Sequence, residues 1–476
     1  MTIIHPLDSL LEGLFPEAKE GGQKLIEAAR RFYTVGPFEP AVQIKNNQLI
    51  VEINIARIEQ QKGRYDKVLA LCERGEFTQA KKDVEILIRE APQVSEYHRI
   101  YGQILSEEGD REGAINALID ALRWNPKNEF ALLMMGNIFT TYRDDLETAL
   151  KYYDEVLKIK PDDYLALNNI GANLMQHGKN KEAYAYFQRA VSINSEFPNA
   201  HYALALTAHR QGDNGAAFAG ALVALQKNKQ KGELYSNSFH LAIDAAGELV
   251  KNPVAKTLVE TYGGELAEKY GKSIQVMEDA SIPTAAKIEF AENYGRDHHL
   301  VKYKPGYPAV EHLVMHELVH LELAEQARAE ENQQLYTAGQ QHKNSFFFSL
   351  EKEAIRMRKQ GVPEKNIAGY LNALFEGINR QIFNAPVDLF IEDILFNRYP
   401  ELKPFQFLSL LSLLREGIEV VTKPEIVENM PIGILSKSKI FNLVNALHFK
   451  NLFDVDLIAQ HKATRAESDQ ANALYA

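Results

Sequence analysis

Five consecutive residues, about two thirds of the way along the chain, could hold a metal ion: His316-Glu317-Leu318-Val319-His320. On a helix, residues four positions apart lie on the same face, so both imidazoles can bind one ion. Glu317 lies beside them, where a carboxylate can hold and deprotonate a metal-bound water. From the His and Glu content of the chain, chance produces this pattern only about 0.04 times. The motif therefore predicts a metal-dependent hydrolytic site.

The surroundings of the motif support this prediction. Uncharged residues flank it, and the sequence pattern predicts a helix from about Ala309 to Glu330. Two histidines and a glutamate are costly to bury in apolar surroundings unless a ligand or polar partner compensates them. The alternative is an amphipathic helix whose histidines have a core or capping role. His312, one turn before His316, either lies beside the metal or has a packing or hydrogen-bonding role.

A zinc enzyme needs a third protein ligand and an open fourth position. The apolar segment after Asn384 contains two carboxylates four residues apart, Asp388 and Glu392, and Pro386 predicts that a helix begins there. Unpaired carboxylates in such a segment need a cation or an imidazole partner. We predict that Glu392 is the third ligand and that Asp388 or Asp393 orients a ligand histidine.

Other assignments stay open at the level of sequence. Asp388 is the nearest competitor of Glu392 as ligand, or else a first-turn residue favoured by the helix dipole. Asp393 is otherwise a solvated side chain, and His342 and Glu353 are further candidate ligands. The candidates for stabilising an oxyanion are Tyr303, Tyr307, His298, His299 and His342.

The motif and its context resemble the zincin metallopeptidases. Upstream of it, strands are predicted at Ser273–Glu278, Ala286–Ala291 and His298–Lys304. In zincins an antiparallel edge strand precedes the active-site helix and binds extended peptide, a role that the resemblance gives to His298–Lys304. No Gly-x-x-His follows His320, so the closer resemblance is to gluzincins, which take a glutamate from a later helix. Glu322 departs from the zincin pattern, which usually has an apolar residue there.

The resemblance implies Zn2+ bound by His316, His320 and Glu392, with Glu317 as catalytic base. Glu317 would accept the proton of a zinc-bound water that attacks a peptide carbonyl, and would then pass it to the leaving amine. The expected enzyme is a zinc-dependent metallopeptidase with a peptide or protein substrate. The alternative is a non-catalytic interaction scaffold that carries an inactive or structural zincin-like domain.

A repeat of roughly 34 residues precedes the motif. Small residues recur at two equivalent positions: Gly102, Gly136, Gly171 and Ala205, and Ala80, Ala114, Ala149, Ala183 and Ala217. Prolines close successive repeats at Pro92, Pro126 and Pro161. Small residues are needed where two helices of a hairpin cross closely, and proline ends the second helix. Over about residues 60–229 the chain resembles tetratricopeptide repeats (TPR), whose grooves bind peptides or protein partners.

The whole chain is predicted to be mainly α-helical with a small antiparallel sheet, an α+β organisation. Near the N-terminus, Ala41–Ile44 and Leu49–Ile53 flank an Asn pair and read as a β-hairpin. The expected order is a TPR-type array of helical hairpins, a zincin-like α+β domain and C-terminal helices. The predicted boundaries are 1–58 for the N-terminal element, 59–232 for the repeats, 233–400 for the zincin-like domain and 401–476 for the C-terminal helices.

Composition restricts the class of protein. The chain has 476 residues, 53 basic and 64 acidic, with a net charge of −11. This argues against nucleic acid or a membrane as partner, because binding phosphates requires clustered positive charge. A lone cysteine, Cys72, excludes sites built from several thiolates and is typical of a reducing compartment. We therefore expect a cytoplasmic protein.

Overall fold

The computed structural model describes residues 1–35, 38–331 and 338–476. The chain divides into two compact units, Met1–Ser195 and Glu196–Ala476, which are described separately. Their boundary lies within the predicted repeats rather than at either end of them. Within the described ranges, no helix is long and apolar enough to cross a membrane.

The first unit begins with an antiparallel sheet of strands β1 (Thr2–Pro6), β2 (Ala41–Lys45) and β3 (Gln48–Glu52), in the order β1-β3-β2. Helices α1 (Ser9–Leu14) and α2 (Gly22–Tyr33) lie between β1 and β2. The predicted β-hairpin is confirmed, whereas β1 was not foreseen. Both Asn46 and Asn47 have a positive φ, of 51° and 58°, as a tight hairpin turn requires.

Four helical hairpins complete the first unit, and another hairpin of the same kind opens the second. Those of the first unit are α3 (Ile55–Glu73) with α4 (Phe77–Glu90), α5 (Ser95–Glu107) with α6 (Arg111–Trp124), α7 (Glu129–Arg143) with α8 (Leu146–Ile159), and α9 (Tyr164–Gln176) with α10 (Asn180–Ile193). The second unit begins with α11 (Pro198–Arg210) and α12 (Asn214–Lys227). The predicted helical-hairpin array is confirmed.

The recurring glycines lie where the two helices of a hairpin cross. A Cβ atom on Gly136 would lie 2.2 Å from the ring of Tyr153, and one on Gly171 would lie 2.6 Å from the ring of Phe187. Both rings are fully buried. The repeat therefore requires glycine at these positions because the opposing aromatic ring occupies the space of a side chain.

The second unit continues with two helices and a small sheet that leads into the motif. The elements are α13 (Glu233–Leu249), α14 (Val254–Tyr270), β4 (Ser273–Glu278), β5 (Ala286–Glu289), α15 (Ala291–Tyr294), β6 (His298–Tyr303) and α16 (Val310–Ala329). The three predicted strands and the predicted motif helix are confirmed.

The order and direction of these strands differ from the prediction. The order is β4-β6-β5, with β4 parallel and β5 antiparallel to β6, so this sheet is mixed. The prediction that His298–Lys304 forms the edge strand was wrong, because β6 is central and β5 lies at the edge. Leu300 and Val301 explain this position: both are buried, and a strand buried on its faces takes the central place.

Helices form the remainder of the second unit. They are α17 (Gln340–Ser349), α18 (Glu351–Lys359), α19 (Glu364–Arg398), α20 (Lys403–Thr422), α21 (Pro424–Val427), α22 (Ile432–Phe453) and α23 (Arg465–Tyr475). Short 3-10 turns occur at Pro16–Glu20, Pro400–Leu402 and Ile458–His461. The predicted helix start at Pro386 was wrong, because Pro386 lies inside α19. Ile378 and Ile391 are buried on either side of it, and their packing outweighs the hydrogen bond that proline removes.

Two apolar clusters organise the second unit. One joins α11, α12 and α13 to the C-terminal helices α20 and α22, with Ala221, Ala245, Phe407 and Phe449 buried in it. The other packs the apolar residues of α16 against α14, β6, α19 and α20. The last repeat hairpin and the C-terminal helices thus share one core. The division at 58, 232 and 400 stays a prediction.

The close helix crossing at Gly136 gives a stability prediction. We expect Gly136→Ala to lower the free energy of unfolding by about 1–3 kcal/mol, because the added methyl overpacks against the buried Tyr153. The matched control is Gly63→Ala, at an exposed position of α3 where a Cβ meets nothing within 4 Å. The control should raise stability by about 0.5–1 kcal/mol through helix propensity. Urea unfolding, followed by the fluorescence of the single tryptophan Trp124, measures the free energy of unfolding of both variants. If both substitutions stabilise the protein equally, the close crossing of α7 and α8 at Gly136 is contradicted.

Candidate metal centre

Helix α16 presents three histidines at intervals of four residues, His312, His316 and His320. Their rings follow one another along one face, with centroids 6.4 Å apart for the first pair and 5.0 Å for the second. The opposite side of α16 is held by the buried residues Val314, Leu318 and Leu321. The apolar residues of the motif therefore fix the helix, and its histidines face α19.

Asp388 of α19 contacts both histidines of the motif. Its Oδ1 lies 3.1 Å from Nε2 of His320 and 3.5 Å from Nε2 of His316. The side chain of Asp388 is 41% exposed, so this contact is open to the cavity in front of it. One carboxylate oxygen thus faces the Nε2 atoms of both histidines.

Glu392, one turn later on α19, lies deeper and has different partners. Nδ1 of His316 donates to its Oε1 at 2.8 Å, and Nε2 of His312 donates to its Oε2 at 2.9 Å. The side-chain amide of Gln406, from α20, donates to the same Oε2 at 2.6 Å. Glu392 is only 4% exposed, so its charge is balanced by these three donors rather than by water.

The two carboxylates contact different nitrogen atoms of the motif. Glu392, predicted as the third ligand, lies on the Nδ1 side of His316. Asp388, predicted to orient a ligand or to compete as one, lies on the Nε2 side of His316 and His320. The third candidate, Asp393, faces Nε2 of His448 at 3.8 Å and does not contact the motif.

Charge and burial shift the pKa values of these groups. Burial opposes the charged form of His316, but its hydrogen bonds to Asp388 and Glu392 outweigh this and hold its pKa well above the ordinary value. Burial likewise acts to raise the pKa of Glu392, but His312 and His316 hold it well below its usual range. His316 thus lies between two carboxylates, and the site favours a positive charge.

The donor set fits a tetrahedral metal ion. Nitrogen and oxygen atoms of His316, His320 and Asp388 lie within 4.8 Å of one another. Two ligand atoms at about 2.1 Å from one tetrahedral zinc lie about 3.4 Å apart, close to the observed separations of 3.1 and 3.5 Å. Two imidazoles and a carboxylate are ligands that zinc commonly takes. These residues could therefore hold a divalent ion without rearrangement of the helices.

Glu317 lies on the side of α16 that is next to the edge strand β5. The backbone N–H of Ile288 is within hydrogen-bonding reach of its carboxylate. Burial raises the pKa of Glu317, and the neighbouring His316 and His320 only partly oppose this. A carboxylate whose pKa is raised by burial is a better proton acceptor than an ordinary exposed carboxylate.

A cavity of about 690 Å³ opens in front of these residues. One wall is the edge strand with its preceding loop, residues 283–288, and the floor is α16 with His316 and Glu317. The other walls come from α19, α20 and α22. An edge strand beside a cavity can pair with an extended peptide through its outward-facing backbone groups.

The predicted oxyanion candidates do not line this cavity within the part of the chain that the structure describes. His298 contacts Asp297, and Tyr307 donates to Glu416 at 2.8 Å. Burial and Glu416 together raise the pKa of Tyr307 to about 12. Of the alternative ligands, His342 is exposed on α17 and Glu353 pairs with Arg356.

A second acidic group surrounds the buried His299, whose neighbours are Glu292 and Glu325. Arg328 contacts both of these carboxylates, and Lys272 also pairs with Glu292. Because basic side chains already neutralise the two glutamates, this group is an ion-pair cluster rather than a second metal centre.

Sequence reasoning missed two residues near the site, Gln406 and His448. Gln406 is fully buried and donates both to the carboxylate and to the backbone carbonyl of Glu392. A lone amide within the apolar run Phe405–Leu414 is the signal that could have revealed it, since a buried amide requires partners. His448 lines the cavity from α22, and no local sequence feature distinguishes it.

Comparison with known families identifies the repeats. A model described as "Tetratricopeptide repeat" matches residues 65–129, and one described as "TT21 fifth ARM repeats domain" matches residues 129–240. Both matches lie before the motif. The chain therefore contains tetratricopeptide repeats, as the sequence predicted.

Curated relatives share only part of this chain. The peroxisomal targeting signal receptor of Saccharomyces cerevisiae is 27% identical over 109 residues, 22% of this chain and 18% of the receptor. The human protein O-mannosyl-transferase TMTC1 is 29% identical over 168 residues, 34% of this chain and 18% of that protein. Mouse tetratricopeptide repeat protein 21A is 34% identical over 77 residues, 16% of this chain and 6% of that protein. The chain thus spans less than a fifth of the length of each of these relatives.

Similar solved structures include PilF of Pseudomonas aeruginosa, which is 20% identical with a TM-score of 0.37. That match covers 46% of this chain and 95% of PilF. A thermophilic TPR protein of Thermus thermophilus is 16% identical with a TM-score of 0.35, covering 38% of this chain and 98% of that protein.

The buried carboxylate gives a pH-dependent prediction for the metal-free protein. We expect Glu392→Gln to lower the free energy of unfolding by about 3–5 kcal/mol at pH 7, because His312 and His316 lose a buried anionic partner. The pKa of Glu392 is lowered by folding, so its contribution is complete above about pH 4.3 and declines as the pH falls further.

Urea titrations read by hydrogen exchange of amides in α16 and α19 measure this effect. Exposed Glu401→Gln is the matched control and should change stability by less than about 0.5 kcal/mol. A loss from Glu392→Gln that stays constant down to pH 2 would contradict the prediction.

Proposed function

We propose that the protein is a zinc-dependent peptidase whose TPR array binds a protein partner. The observation that carries the proposal is the convergence of His316, His320 and Asp388 beside Glu317 in an open cavity. The edge strand β5 along that cavity supports a peptide substrate. The TPR helices support a protein partner, because such arrays present extended concave binding surfaces.

In this proposal His316 and His320 bind the metal through Nε2, and Asp388 is the third ligand in place of Glu392. Glu392 accepts a hydrogen bond from Nδ1–H of His316. This bond fixes the tautomer and the orientation of the ring, so that Nε2 is available to the metal. His312 and Gln406 hold Glu392 in that position. When bound, zinc would act as a Lewis acid and would lower the pKa of a bound water to about 7.

Glu317 performs the proton transfers. Its carboxylate accepts the proton of the attacking water and then passes it to the leaving amine of the substrate. Its raised pKa suits it to both steps. The backbone groups of β5 pair with the extended substrate and align the scissile carbonyl with Glu317 and the histidines.

Metal analysis is the direct test of the site. We expect the purified protein to bind about one equivalent of zinc and His316→Ala to abolish that binding, because the remaining two ligands cannot complete the site. Equilibrium dialysis with elemental analysis measures the stoichiometry. His342→Ala is the matched control and should retain full zinc content, since His342 lies exposed on α17.

The roles of the two carboxylates can be separated by the same measurement. Asp388→Ala should reduce zinc affinity more than Glu392→Gln, which should reduce it about 10–100-fold as expected for a group that orients a ligand. The reverse order would restore Glu392 as the third ligand. Absence of bound zinc in the unaltered protein would overturn the metal-centre proposal.

The catalytic base can be tested with Glu317→Gln. We expect this variant to keep its zinc and fold and to lose at least about 100-fold in peptide hydrolysis, because proton transfer by a positioned group contributes about that much. Hydrolysis of a casein or quenched-fluorescent peptide mixture measures the rate. Full activity in a zinc-loaded Glu317→Gln protein would refute this role.

The second candidate function is a non-catalytic TPR scaffold. The family matches favour it, since both fall on the repeats and neither reaches the motif. In this case the C-terminal unit has only a structural or binding role, and the His316–Glu392 contacts serve stability. A protein that binds partners but holds neither zinc nor hydrolytic activity would establish this function.

A further inference from the structure

The cavity continues along α19 beyond the proposed metal ligands. Arg380, Asn384 and Asp388 follow one another at intervals of four residues, and all three line the cavity. Residues with this spacing lie on one face of a helix, so the helix carries a basic and an amide group in line with the candidate ligand. These three residues are placed to influence which substrate binds, an inference that rests on the proposed peptidase function.

Arg380 has no acidic partner within the part of the chain that the structure describes. Its one side-chain hydrogen bond runs from Nε to the carbonyl of Glu376, on its own helix, at 3.4 Å. By contrast, Arg296, Arg328 and Arg398 of the same unit each pair with a glutamate. The terminal N–H groups of Arg380 are therefore available to a ligand in the cavity.

Amide groups also line the cavity. Asn384 lies on the same helix, and Asn442 and Asn445 approach from α22. One amide N–H of Asn442 is used by the carbonyl of Ser438, which leaves the other N–H free to donate. Side-chain amides beside a guanidinium supply additional donors for an anion, whereas Leu410, Leu413 and Leu414 provide an apolar wall.

We infer that Arg380 binds a carboxylate of the substrate and thereby selects the bond that is cleaved. A guanidinium without an acidic partner can donate two parallel hydrogen bonds to a carboxylate. The carboxylate comes either from the C-terminus of the peptide or from an acidic side chain. Arg380 and Asp388 are eight residues apart, about 12 Å along the helix, which corresponds to roughly three to four residues of extended peptide.

Binding experiments without turnover test this inference. The protein is zinc-loaded Glu317→Gln, and the probe is the fluorescein-labelled peptide Ala-Ala-Phe-Ala-Ala-Ala with a free C-terminal carboxylate. Two further probes carry a C-terminal amide, one with the same sequence and one with Glu as the last residue. Fluorescence anisotropy should show that the free acid binds at least about tenfold more tightly than the amide, as expected for a charge-assisted contact.

The additional probe distinguishes the source of the carboxylate. If the Glu-containing amide binds as tightly as the free acid, the site accepts an acidic side chain; if it binds as weakly as the plain amide, the site is specific for the C-terminus. Either result supports a carboxylate site provided that Arg380→Gln abolishes the preference. Arg380→Lys should retain part of it, because the charge remains and the bidentate geometry is lost.

Arg465→Gln is the matched control, since this side chain is 96% exposed and lies outside the cavity lining. It should leave the preference unchanged. Equal binding of acid and amide, no binding of any probe, or a preference that survives Arg380→Gln would each overturn the inference.

Zinc content and hydrolysis are measured separately from these affinities. A protein that binds zinc and cleaves peptides but does not distinguish acid from amide overturns only the carboxylate site. A protein that lacks zinc and activity overturns the peptidase function, while a carboxylate preference in the metal-free form would still support binding at Arg380.

Discussion

The buried charge of Glu392 is the interaction on which the candidate site depends. A carboxylate that is 4% exposed needs several donors, and it obtains them from His312, His316 and Gln406. These donors come from α16 and α20, so one charge ties both helices to α19. Because Nδ1–H of His316 donates a hydrogen bond to this carboxylate, the Nε2 atom of the same ring faces Asp388 and the cavity. The orientation of the motif therefore follows from the neutralisation of one buried group.

The surroundings of this interaction come from separate parts of the second unit. The sheet supplies β5 beside Glu317, and α20 supplies both Gln406 and an apolar wall of the cavity. Helix α20 also packs in the core that contains α11, α12 and α13. The last repeat hairpin and the support of Glu392 consequently share one apolar core. Burial of the last repeat hairpin and positioning of the site are thus parts of the same packing arrangement within the second unit.

Local patterns in the sequence predicted most of the described elements but missed β1 and placed a helix start wrongly at Pro386. The spacing of small residues predicted the helical hairpins, because close helix crossing leaves no room for a side chain opposite Tyr153 or Phe187. The five-residue motif predicted its helix and the shared face of its histidines, since helical geometry alone decides which residues lie four apart. All described strands except β1 were also predicted, but the order of β4, β5 and β6 was not, because strand order depends on which strand is most buried.

The sequence by itself determined that the chain has tetratricopeptide repeats, that the motif is helical, and that Asp388 and Glu392 share a face of another helix. Only the tertiary structure decided that α19 continues through Pro386, that β5 is the edge strand, and that Asp388 rather than Glu392 faces both Nε2 atoms. Periodicity fixes the face of a helix, but not its depth or rotation against a neighbour. Those are set by the packing of Ile391 and Leu395 in the core and by the need to satisfy the buried Glu392.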